Sequence, residues 1–125
     1  MLPFVTAEEF SLHEHPVAEI ERRNGAAIVH LVGELDLYNA QELRSALLDL
    51  CTEQPERLVV DLAEVGFVDS TALGVLIEAR AKLANRRSFL LAAPGLETHR
   101  ALTISGLDQH LALHDTVDCA LDAEL

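Results

Sequence analysis

Short apolar runs that alternate with helical patterns constrain the fold of this chain most. Residues 57–62 and 88–93 are nearly continuous apolar runs, which are typical of strands buried on both faces of a sheet. Each run is followed by a segment with apolar residues at helical spacing; one reaches about Asn85, and the other spans residues 96–105. This alternation predicts an α/β domain with a largely parallel inner sheet.

The segment before residue 33 predicts a β-hairpin. Residues 18–22 alternate between apolar and polar side chains, and residues 26–32 are mostly apolar. Asn24 and Gly25 stand between the two runs, and both residue types tolerate the positive φ of a tight hairpin turn. We therefore expect two antiparallel strands, followed by a connection over residues 33–38.

Local signals also mark the ends of the helices. Asn39, with Glu42 three residues later, resembles a capping box, and the helix that it begins should end before Pro55. Gly106 is expected to stop a later helix, and Asp115 to cap the last one. A brief strand is expected over residues 111–113. The apolar stripe of the first helix comprises Leu43, Ala46, Leu47, Leu50 and Cys51.

The charge of the chain argues against several classes of partner. Nine basic residues against 21 acidic ones give a formal net charge of −12, which repels both nucleic-acid phosphates and anionic lipid. Aromatic residues make up only 4% of the chain, so a stacking platform for single-stranded nucleic acid is also absent. We expect no direct binding of nucleic acid or membrane. The charge is compatible with docking on a more basic protein, and equally with a role in solubility alone.

The sequence predicts a cytoplasmic protein. No apolar run approaches the roughly 20 residues that cross a bilayer, and the first residues lack the basic flank and apolar stretch of a secretion signal. Cys51 and Cys119 fall in no metal-binding or redox spacing, so they are expected to be free, buried thiols.

Catalytic and metal-binding patterns are missing from the sequence. The six histidines are scattered, no Ser/His/Asp arrangement forms a nucleophile elbow, and no glycine-rich loop would hold a phosphate. Asp61, at the end of a predicted strand, suggests a phosphoacceptor of a receiver domain. A receiver also needs an acidic pair after its first strand, where this chain has Asn24-Gly25, and a lysine after its last, whereas no lysine follows Lys82. We expect no metal site, and the receiver has little support from these residues.

The segment over residues 67–76 predicts a loop that delivers a hydroxyl to the start of a helix. Asp69 or Ser70 would accept hydrogen bonds from the first helical N–H groups, which have no partner within the helix. Ser70 then lies at the positive end of the helix dipole, at the surface and beside a carboxylate. It either only caps the helix, worth about 1 kcal/mol, or is a site for phosphorylation or for a partner; spacing alone leaves both open.

Four ordered segments together resemble the STAS domains of bacterial anti-sigma factor antagonists. They are residues 33–36, 40–44, 58–62 and 67–76, and the similarity extends over residues 16–122, which leaves residues 1–15 as an N-terminal lead-in. The resemblance implies a single STAS domain of the α/β class, in which an N-terminal β-hairpin is followed by alternating strands and helices around a small mixed sheet.

The resemblance also implies the site. Ser70 would be the phosphorylated residue, with Thr71 as the alternative, because the family commonly has a second serine there. The partner-binding surface would then consist of Asp36, Tyr38, Asn39, Asp69, Ser70, Thr71 and Gly74.

The mechanism that the resemblance implies is partner switching in the regulation of transcription, as in stress responses. The unphosphorylated protein binds an anti-sigma factor, a serine kinase with an ATPase fold, and so frees the sigma factor. The kinase ends the complex by phosphorylating the serine, and a PP2C-type phosphatase restores it. The resemblance thus implies that ATP and magnesium belong to the kinase, and that this chain has no cofactor and is not an enzyme. The alternative is a STAS module that binds a ligand or serves as a scaffold in a larger signalling or transport assembly.

Overall fold

A five-stranded mixed sheet forms the centre of the computed structural model, which describes residues 15–125. The strands lie in the order of the sequence, with the first pair antiparallel and the other pairs parallel. They are β1 (Val17–Arg23), β2 (Ala26–Leu35), β3 (Arg57–Val68), β4 (Phe89–Ala92) and β5 (Ala112–His114). The predicted α/β class, hairpin and mixed sheet are therefore confirmed, while the predicted lead-in lies outside the described residues, except for His15.

Helices cover both faces of this sheet. They are α1 (Ala40–Thr52), α2 (Ser70–Lys82), α3 (Leu96–Ser105) and α4 (Val117–Asp122), with short 3-10 turns at Arg86–Ser88 and Leu107–Gln109. The larger core joins one sheet face to α1, α2 and Leu102 of α3. The smaller core joins Ile28, Val59 and Leu90 on the opposite face to Ala120 of α4.

The hairpin turn and one helix end follow the chemistry of their residues. Asn24 and Gly25 have φ values of 51° and 85°, and strand pairing begins directly beside them, at Arg23 and Ala26. Gly106 ends α3 in the left-handed region, with φ of 78°, as predicted for a glycine at this position.

The central strands are longer than predicted. Residues 33–35 belong to β2 rather than to a connection, and β3 continues six residues past residue 62 to Val68. The two strands stay paired as far as Leu35 and Val68 because two shifts of register absorb the irregularity around Gly33, where φ is 80°. Asp61 consequently lies inside β3 and not at its end.

Three further local predictions were wrong in detail. Helix α2 ends at Lys82 instead of near Asn85. The last helix is capped by Thr116, whose Oγ1 accepts a hydrogen bond from the Cys119 N–H, and not by Asp115. Cys119 is exposed, whereas Cys51 is buried as expected, and burial raises the pKa of the Cys51 thiol.

Candidate functional site

Ser70 is the first residue of α2, and its side chain is exposed. Asp69 is the residue that caps the helix, because its Oδ1 accepts the Ala72 N–H at 2.9 Å. Among residues 15–125 no hydrogen bond or ion pair holds the Ser70 side chain. The hydroxyl therefore lies at the helix start without being needed for the cap.

Asp69 also connects α2 to the loop over residues 36–39. Its Oδ2 accepts the Leu37 N–H at 3.0 Å, and its own N–H donates to the Leu35 carbonyl at 3.0 Å. One carboxylate thus fixes the start of a helix and the neighbouring loop, which comes from a segment 32 residues earlier. Asp69 is half-buried, so it serves mainly to position these two segments.

Hydrogen bonds of Asp36 and Asn39 shape the same loop. Asn39 Oδ1 accepts the Asp36 N–H at 2.9 Å, and Asn39 Nδ2 donates to the Glu34 carbonyl at 2.7 Å. Asp36 Oδ1 accepts the Tyr38 N–H at 2.9 Å. Asn39 precedes α1 as predicted, but its side chain makes no cap and is only 5% exposed. The capping box is therefore wrong, because the Asn39 amide is occupied within the loop.

Exposed apolar side chains lie around these polar groups. Leu37 is 67% exposed and Tyr38 is 70% exposed, although both belong to the loop that Asp69 fixes. Phe67, near the end of β3 and paired in register with Glu34 of β2, is 47% exposed. Aromatic and large apolar side chains are frequent anchors at protein interfaces. We refer to Asp36, Leu37, Tyr38, Phe67, Asp69, Ser70, Thr71 and Gly74 as the switch surface.

Gly74 lies one helical turn after Ser70 and is exposed. A Cβ built on it would meet nothing within 4 Å, so packing within the described chain does not require a glycine. Glycine inside a helix is less stable than alanine by about 0.5–1 kcal/mol. Its effect here is to leave the helix surface flat beside Ser70 and Thr71, which is also exposed.

Six of the seven residues predicted for partner binding lie in the switch surface, whereas Asn39 is buried and neither Leu37 nor Phe67 was predicted. The exposure of Phe67 departs from simple strand alternation, because Val65, two residues earlier on β3, is buried and the register with β2 shifts between the Gly33–Val65 and Glu34–Phe67 pairs. The backbone bond that holds Leu37 runs to Asp69, 32 residues away, and no local pattern predicts that contact.

A second polar cluster lies in the sheet, away from the switch surface. The His30 ring connects two carboxylates, with Nδ1 2.5 Å from Asp61 and Nε2 2.6 Å from Glu21. Partial burial alone would lower the pKa of His30, but the hydrogen bonds and charges of both carboxylates outweigh it and raise that pKa. Because Asp61 is held by His30 and by the Ala63 N–H, the structure gives no support to a phosphoacceptor role.

Within residues 15–125, no three His, Cys, Asp or Glu side chains converge as metal ligands. In the same part of the chain, no helix is long and apolar enough to span a membrane.

Comparison with known proteins identifies the family. The STAS domain family matches residues 17–120. The anti-sigma-F factor antagonist RsfB of Mycobacterium tuberculosis is 34% identical over 98 residues, which cover 78% of this chain and 80% of that protein. An anti-sigma F factor antagonist of Paenibacillus polymyxa is 33% identical over 100 residues, covering 78% and 85%. A crystal structure of an anti-sigma factor antagonist from Mycobacterium paratuberculosis superposes with a TM-score of 0.77 at 33% identity, covering 82% of this chain and 88% of that one. The chain therefore belongs to the STAS-domain family of anti-sigma factor antagonists.

Proposed function

We propose that this protein binds an anti-sigma factor through the switch surface, and that phosphorylation of Ser70 ends the complex. One observation carries the proposal. The Ser70 hydroxyl is exposed at the start of α2, while the capping bond that the helix needs is made by Asp69. Modification of Ser70 therefore removes no hydrogen bond within residues 15–125.

The electrostatics of the site favour a switch that leaves the fold intact. A phosphate group adds a charge of about −1.5 to −2. The helix N-terminus stabilises negative charge by about 0.3–1 kcal/mol at an exposed site, so the phosphorylated chain should stay folded. A partner packed on Ser70 would instead meet a bulky, hydrated dianion next to the Asp69 carboxylate. Binding is then lost without unfolding.

The chemistry of phosphorylation belongs to the partners in this proposal. The anti-sigma factor is a serine kinase with an ATPase fold, which supplies ATP and magnesium, and a PP2C-type phosphatase restores the hydroxyl. This chain is the substrate and the regulatory binding protein rather than an enzyme, and it acts in the cytoplasm. The exposed Leu37 and Tyr38 supply apolar anchors for the complex.

Thr71 is the alternative phosphorylation site. It is exposed like Ser70 and occupies the second position of α2. We favour Ser70 because it directly follows the capping residue. Phosphate mapped to Thr71 would move the site by one residue.

The test is a capture experiment with a charge-matched control. The tagged wild-type protein and its variants Ser70→Ala, Ser70→Asp and Ser45→Asp are incubated with cell extract, and the captured proteins are quantified by mass spectrometry. Ser45 is an exposed serine inside α1, outside the switch surface. Ser70→Ala and Ser45→Asp should retain an ATPase-fold protein that Ser70→Asp loses. Equal capture by all four proteins would contradict the proposal.

A further inference from the structure

The basic residues of this acidic protein are unevenly distributed. Four of the nine, among them Arg80, Arg86 and Arg87, fall within residues 80–87. The basic residues outside this segment each have a partner in the described chain. These pairs are Arg22 with Glu53, Arg23 with Glu21, Arg44 with Glu78, Arg100 with Glu97, and Arg57 with the Ala120 carbonyl.

The three arginines of residues 80–87 lack such partners within the described residues. No side chain or carbonyl within residues 15–125 forms an ion pair or hydrogen bond with the guanidinium of Arg80, Arg86 or Arg87. All three line one cleft of about 430 Å³ at the amino end of β4. Guanidinium groups that line the same cleft repel each other, and a chain with 21 acidic residues has ample means to neutralise them. The lack of partners for all three within residues 15–125 favours an anionic ligand.

The composition and size of the cleft indicate what kind of anion. Gln109, His110 and His114 also line it and add nitrogen donors, while the acidic Glu124 and the last residue of the structure, Leu125, lie at the same cleft. Guanidinium groups bind phosphate through two parallel hydrogen bonds. The volume is within the range of small-molecule sites. The net charge of −12 repels long polyanions such as nucleic acid, so a compact ligand fits best.

We propose that this cleft binds a small ligand that carries two or more phosphate groups. The cleft lies at the amino end of β4, whereas Ser70 follows the carboxyl end of the parallel strand β3. The two sites are therefore at opposite ends of the strands. The proposal therefore does not depend on partner switching, and either can fail without the other.

Calorimetric titration of the full chain tests this site, with inorganic triphosphate as the probe and sulfate at equal ionic strength as the reference anion. The variants are Arg87→Gln and the matched control Lys82→Gln, which removes the same charge from the same segment but does not line the cleft. We expect saturable binding of triphosphate at one site, weakened about tenfold or more in Arg87→Gln, because charge-assisted hydrogen bonds are lost. Lys82→Gln should bind within about twofold of the wild type, because screened charges outside the cleft contribute little.

Three results would overturn the proposal: no saturable binding of triphosphate, equal binding of sulfate, or the same weakening in both variants, which would indicate bulk charge. Thermal unfolding of each variant verifies folding. Arg87 is exposed, so its substitution should leave the unfolding temperature unchanged.

Discussion

Asp69 holds two parts of the switch surface together, so its removal should destabilise the protein by a calculable amount. In Asp69→Ala, the Ala72 N–H loses its capping acceptor, which costs about 1 kcal/mol. The Leu37 N–H also loses its acceptor; this group is exposed and regains water, so the second loss is about 0.5–1.5 kcal/mol. The free energy of unfolding should therefore fall by about 2 kcal/mol in total.

Asp69→Asn separates the two contributions. Asparagine caps a helix as well as aspartate does, so its one oxygen keeps the Ala72 N–H. Its amide nitrogen then faces the Leu37 N–H, donor against donor. We expect this variant to lose only the second contribution, about 1 kcal/mol.

Urea unfolding of the two variants at one pH measures both values, with the slope m checked for constancy. Asp49→Asn, at an exposed aspartate in α1, controls for the change in charge and should stay within about 0.5 kcal/mol of the wild type. The reasoning is refuted if Asp69→Ala is as stable as the wild type, or if both Asp69 variants lose the same amount.

Three further substitutions test other parts of the structure. Gly74→Ala should raise the free energy of unfolding, measured in urea, by about 0.5–1 kcal/mol, because α2 has open space for the methyl group. Capture of the anti-sigma factor by this variant should fall. An unchanged or lower stability would contradict the geometry. The pKa of His30 is raised in the folded protein, so its ion pairs stabilise the fold fully at a pH below the ordinary histidine pKa of 6.5. This stabilisation is lost as the pH rises through the pKa that His30 has in the folded protein. The stability difference between wild type and His30→Gln, measured in urea from pH 5.5 to 8.5, should therefore shrink with rising pH, and His99→Gln, at an exposed histidine, is the control substitution. A constant difference for His30→Gln would count against the ion pairs of His30 with Glu21 and Asp61. Thr116→Ala should cost about 1 kcal/mol through the lost cap of α4, and Thr116→Ser should restore most of it; equal losses in the two variants would argue against the cap.

The elements that depend on local chemistry were predictable from the sequence. Asn24-Gly25 specified the hairpin turn, and Gly106 specified the end of α3, because both positions need a positive φ. The lengths of β2 and β3 were not predictable in this way. Beyond His30 the two strands hold each other through pairs such as Glu34 with Phe67, across shifts of register that no single segment encodes.

The same distinction applies to the candidate site. The helix start at residues 69–70 was evident, but aspartate and serine are equally good caps, and only the contact between Asp69 and Leu37, 32 residues apart, decides between them. The partners of His30 lie 9 and 31 residues away, so its cluster has no sequence signature. Long-range contacts therefore account for what the sequence alone left open.

The most direct test of the switch uses the protein phosphorylated at Ser70 itself, produced by incorporating phosphoserine at that position. Its capture of the ATPase-fold protein retained by Ser70→Ala is measured beside its free energy of unfolding in urea. We predict that capture is lost, while the stability stays within about 1 kcal/mol of the unphosphorylated protein, because the start of α2 accepts the charge. Undiminished capture by the phosphorylated protein, or unfolding as the cause of its loss, would contradict this account.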